Sequence, residues 1–108
     1  MPISPLSERR VTARLAHHLQ VDYRAAQDWR RATTMDLSVH GCRLRVGEDL
    51  ARGSRVHVRF TRGTGETAIV AIVEGVVVWT RLEGLSYQAG IHFPTGDPAL
   101  AELIAALA

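Results

Sequence analysis

The sequence predicts a mainly β protein, a six-stranded antiparallel barrel closed by a C-terminal α-helix. Three observations carry that expectation. Apolar and polar residues alternate with a period of two through six segments, which is the mark of half-buried strands. Short turns, several of them carrying glycine, separate those segments as hairpins require. After residue 93 the period changes to that of an amphipathic helix.

Residues 1–8, with Pro2, Ser4, Pro5 and Ser7, have no periodicity and read as a flexible arm ahead of a single domain over 9–108. Alternation begins at Leu15: Leu15, His17, Leu19, Val21 and Tyr23 share one face of a first strand. After a connection through Arg24 to Asp28, a second strand runs from about Arg30 to Leu37, and a turn follows through Ser38 to Gly41. Cys42, Leu44 and Val46 alternate with Arg43 and Arg45 in a third strand, and residues 47–53 form a loop. Val56, Val58 and Phe60 alternate with Arg55, His57 and Arg59 in a fourth.

Beyond a turn at Gly63 and Gly65, residues 67–81 are long and β-branched. Glu74-Gly75 in their middle marks a bulge or sharp bend, which suits a small barrel. The sixth strand, Ser86 to Phe93, turns Ile91 and Phe93 inward. Leu100, Leu103, Ile104 and Leu107 then lie on one helical face, with Asp97 as N-cap and Pro98 at the first helical position. Six consecutive strands must manage their edges, and closure into a barrel does so.

At 108 residues the chain holds one domain and a core that needs no metal or disulfide. Cys42 is the single cysteine, which fits a reducing compartment and an expected cytoplasmic location. No apolar run is long enough to span a membrane, and no signal-peptide core is present. Formal net charge is +2, yet all 13 basic residues are arginine, a bias that high-GC coding produces without any functional cause. His17 and His18 point to opposite faces of one strand, so they do not chelate together, and no paired metal-ligand spacing occurs elsewhere. No metal site is expected. No Ser, His and acid arrangement or carboxylate pair marks an enzyme.

Two strings carry chemistry. Arg10 and Arg14 form RxxxR, with Arg9 directly before it, and Asp36, Ser38 and Gly41 form DxSxxG on the hairpin between the second and third strands. A guanidinium stacks on a purine and offers a fork of donors matching phosphate oxygens or the O6 and N7 of guanine. Asp36 accepts from ring N–H groups, Ser38 donates to phosphate, and Gly41 permits a tight turn and close backbone approach. Alone, RxxxR is usually a solvated arm and Asp-x-Ser an ordinary turn. Their order and strand context together make the signal.

That combination resembles the PilZ domain family of bacterial cyclic di-GMP receptors. The likeness covers nearly the whole chain and includes Glu8-Arg9-Arg10 before the first strand, Asp36-Leu37-Ser38 with Gly41, and Gly90-Ile91-His92-Phe93 before the terminal helix. His40 stands where many members carry a second glycine. The resemblance implies cyclic di-GMP as ligand, bound by Arg9, Arg10, Arg14, Asp36, Ser38 and Gly41. Arg9 adds a third guanidinium able to stack on a second, intercalated ligand, so two molecules per site are expected.

The implied role is that of a stand-alone switch: ligand draws the arginine arm over the barrel, and the new surface signals to a protein partner. Receptors of this kind in the family are linked to motility and surface attachment. Two alternatives compete with this reading. One is a basic barrel binding nucleic acid through Arg43, Arg45, Arg55 and Arg59, consistent with a pI near 9.3 but opposed by the low net charge and few aromatics. The other is a ligand-free adaptor of the same fold, which the intact strings oppose.

Overall fold

The computed structural model describes residues 18–107. Its strands are β1 (Gln20–Arg24), β2 (Arg30–Ser38), β3 (Gly41–Val46), β4 (Arg55–Arg62), β5 (Ile69–Glu83) and β6 (Ser86–His92), followed by helix α1 (Pro98–Leu107). Every pairing is antiparallel, and the sheet closes in the order β1-β2-β3-β6-β5-β4. The fold class read from the sequence is the fold observed. Leu15, His17 and the arm over 1–8 lie outside the described residues. His18 and Leu19 precede β1 as irregular chain, and Leu19 is tied to β2 instead: its N–H donates to Thr34 Oγ1 at 2.9 Å and its carbonyl accepts from Thr34 N–H at 2.8 Å.

Alternation fills the barrel as expected. Val21, Tyr23, Leu44, Val56, Val58, Phe60, Val73, Val77 and Ile91 are all buried, and Phe60 meets Phe93 edge to face with centroids 6.2 Å apart. The Tyr23 hydroxyl donates to the Glu48 carboxylate, and burial together with that bond pushes the phenol well above its ordinary value of 10.0. Helix α1 packs on β5 and buries Leu100, Leu103 and Ile104. Asp97 Oδ1 accepts from Leu100 N–H at 2.9 Å, the capping bond foreseen at that position.

The bulge is not where the sequence placed it. Glu74 and Gly75 pair in unbroken register with His57 and Val56 of β4. Gly75 is there for proximity, since a Cβ on it would fall 2.5 Å from Ile91 Cγ2. The register breaks one turn of alternation later, between Val77 and Trp79, and a second break lies in β2 between Thr34 and Asp36. Strict alternation from buried Val77 would drive Trp79 inward, and alternation from buried Thr34 would do the same to Asp36. Each break inserts one extra residue and re-aims the next side chain outward.

Candidate functional site

The two bulges face each other across the β3–β6 pair, and the outer surface between them holds one continuous row. Asp36 on β2 stands opposite Arg43 on β3, Arg43 opposite Gly90 on β6, and Gly90 opposite Trp79 on β5. A carboxylate, a guanidinium, a gap and an indole thus lie side by side across four strands. Around them opens a cleft of about 380 Å³, whose rim and floor also include His40, Gly41, Cys42, Val78 and His92.

The gap at Gly90 is functional in the steric sense. A Cβ there would sit 2.2 Å from Trp79 Nε1 and 2.4 Å from Cε2, so the indole lies directly over main chain that carries no side chain. Trp79 keeps 38% of its surface exposed, far more than the core aromatics. A flat, partly exposed ring, with the Arg81 guanidinium 5.7 Å from its centroid, is a surface on which a base can stack.

Arg43 Nη2 lies 3.4 Å from Asp36 Oδ2, which orients both groups along the row. Arg43 Nε is buried and has no hydrogen-bond partner among the described residues, leaving one donor of the fork unused. Gly41 matters for approach rather than for turn geometry. It does not adopt positive φ, but a Cβ on it would fall 2.3 Å from the Ile91 carbonyl oxygen of β6. Main chain cannot move aside as a flexible side chain can, so the position admits only glycine.

Ser38 is placed differently from Asp36 and Gly41. It is buried, and its hydroxyl accepts from His40 N–H at 3.2 Å and faces the Gly41 carbonyl at 3.5 Å, so it braces the hairpin turn beneath the cleft rather than lining it. Arg9, Arg10 and Arg14 lie outside the described residues. Of the six residues expected to bind ligand, Asp36 and Gly41 therefore line the cleft.

Arg43, Trp79 and Gly90 escaped the reading of the strings. They are neighbours only through strand pairing, and the burial pattern shows the slip that helps align them in β2: buried positions fall at 32 and 34 and then at 37, which strict alternation cannot produce. Cys42 is buried, in keeping with its inward phase. Two of the four arginines invoked for nucleic acid are engaged with carboxylates: Arg59 with Asp22 at 3.0 Å and Arg43 with Asp36. No described helix is long and apolar enough to cross a membrane.

Residues 8–108 match the PilZ domain family. No curated protein matches the chain. Among solved structures the chain is similar to the inhibitor of motility MotI/DgrA of Bacillus subtilis, with a TM-score of 0.74 and 14% sequence identity over 92% of this chain. The match takes in 49% of that protein, so this chain spans about half its length.

Proposed function

The chain belongs to the PilZ domain family, and from that premise we propose that it is a cyclic di-GMP receptor that signals to a protein partner. The observation that carries the proposal is the row Asp36, Arg43, Gly90 and Trp79 in its cleft. Cyclic di-GMP presents two anionic phosphates and two guanines, so its receptor needs cation, donor and stacking surface within one small site. Trp79 supplies the stacking face, the partly exposed guanidinium of Arg43 the donors, and Asp36 an acceptor for the N–H groups on a guanine edge.

Arg10 and Arg14 complete the site by covering phosphates and guanine faces, and Arg9 stacks on a second ligand molecule. Their approach over the barrel is the switch, and the ordered arm is the surface a partner reads. Gly41 keeps β2–β3 and β6 close enough for the cleft to form, while Ser38 holds the turn. The name of the Bacillus subtilis relative makes motility the first output to examine.

Isothermal titration calorimetry tests this reading. Wild-type protein takes up cyclic di-GMP with two ligands per chain, and Arg10→Ala, Arg14→Ala and Asp36→Ala each weaken binding by about tenfold or more, as loss of a charged hydrogen bond does. A one-to-one titration at saturation rejects the second ligand. Unchanged affinity in both arginine variants rejects the site.

A further inference from the structure

Barrel closure removes edges, but β5 is longer than its partner. Its first half, Ile69 to Val76, pairs with β4, and its second half, Val76 to Glu83, pairs with β6. On the β4 side the last bonds are those of Val77, whose N–H donates to the Ser54 carbonyl at 3.0 Å and whose carbonyl accepts from Gly53 N–H at 2.7 Å. Beyond Val77, among the described residues, no strand lies on that flank; the loop after β3 reaches it only by side chain, where Asp49 Oδ1 accepts from Thr80 Oγ1 at 3.2 Å.

In an antiparallel ladder every second residue directs its N–H and C=O away from the partner. Glu83 and Ser86 close the β5–β6 hairpin around Gly84 and Leu85, so Arg81 and Glu83 bond to β6 while Thr80 and Leu82 aim their main-chain groups at the open flank. Among the described residues nothing bonds to those groups. Leu82 is 63% exposed and Leu85 wholly so. An open edge bearing exposed leucines is a template for another strand.

We propose that this edge pairs with the same edge of a second copy of the chain, antiparallel about a two-fold axis at Leu82. The charge pattern selects that occupant and that register. With Leu82 opposite its own copy, Arg81 of each chain stands opposite Glu83 of the other, so two unlike pairs flank a central leucine pair. Shifting by one step of the ladder sets Arg81 against Arg81, which like-charge repulsion disfavours. Arg81 and Glu83 are half exposed; they meet each other at 3.4 Å and each also meets Gln88, so the pairing across the axis exchanges part of a solvent-exposed network within the chain for contacts between chains. The pairing does not depend on the ligand reading.

Sedimentation velocity over a range of protein concentrations, without ligand, tests the proposal. The chain dimerises, and Leu82→Asp, which brings two carboxylates together at the axis, raises the dissociation constant by about tenfold or more. Arg81→Glu weakens the dimer through like charge, and Arg81→Glu with Glu83→Arg restores it. Amide exchange at Thr80 and Leu82 slows as concentration rises. A chain monomeric at every concentration, or a dimer indifferent to Leu82→Asp, overturns the proposal. A dimer unaffected by Arg81→Glu overturns the register.

Discussion

Two faces of this barrel use the same residue types to opposite ends. On the β1 side Asp22 stands between Arg31 of β2 and Arg59 of β4, at 3.3 and 3.0 Å, and the guanidiniums of Arg24 and Arg59 lie over the Trp29 ring at 4.5 and 4.2 Å. Carboxylate, arginines and indole satisfy one another there. On the β3–β6 side Asp36 meets Arg43, and the indole of Trp79 lies over glycine with the Arg81 guanidinium at the longer distance of 5.7 Å, with one Arg43 donor unused and a cleft beside it. Composition does not separate the two. Two bulges and Gly90 do: the bulges turn Asp36 and Trp79 outward, and the missing side chain leaves a recess between them.

The largest test of that contrast is Gly41→Ala. The added methyl meets main-chain oxygen of β6, so β2–β3 must shift, and we expect a loss of about 3 kcal/mol in urea unfolding, at the upper end for overpacking. An unchanged midpoint would show that the close approach is dispensable. Next comes Trp79→Ala, which removes a stacking face worth about 1–3 kcal/mol per base, so affinity for cyclic di-GMP falls about tenfold to a hundredfold in calorimetry while thermal stability barely moves.

Trp29→Ala reverses that pattern. Losing two cation–π contacts and the packing beneath them costs about 1–2 kcal/mol of stability and leaves ligand affinity untouched. If both tryptophan variants altered binding equally, the division into a closed and an open face would fail. The smallest effect is that of Asp22→Asn, where a partly exposed carboxylate with two arginine partners is worth about 1 kcal/mol or less in denaturant unfolding.

Tyr23 gives a pH test on the closed side. Its phenol is held protonated in the fold, so the stability it contributes is full below the ordinary value of 10.0. That stability is lost as pH rises beyond it, because the unfolded chain ionises first. Tyr23→Phe should flatten that alkaline limb of the stability profile measured by chemical unfolding.

Strand identity was legible because alternation, turn glycines and the Asp97-Pro98 start are local signals, each readable within a few residues. Register was not. In Val76-Val77-Val78 three like residues read equally well in either phase, so the bulge before Trp79 left no local trace, and Glu74-Gly75 drew it instead. Most of the candidate site suffered for the same reason. Asp36 and Gly41 sit in a short string and were found, whereas Arg43, Gly90 and Trp79 become neighbours only through pairings between strands distant in sequence.

The four-strand row has an arithmetic consequence. Its members come from positions 36, 43, 79 and 90 and are aligned by three separate ladders, so the site exists only when all three are in register at once. A slip of one residue in any ladder would turn its contribution to the other face. The row therefore works like the tumblers of a lock, and a ligand gripping it draws binding energy only from correctly threaded chains, raising their share of the population as its concentration grows.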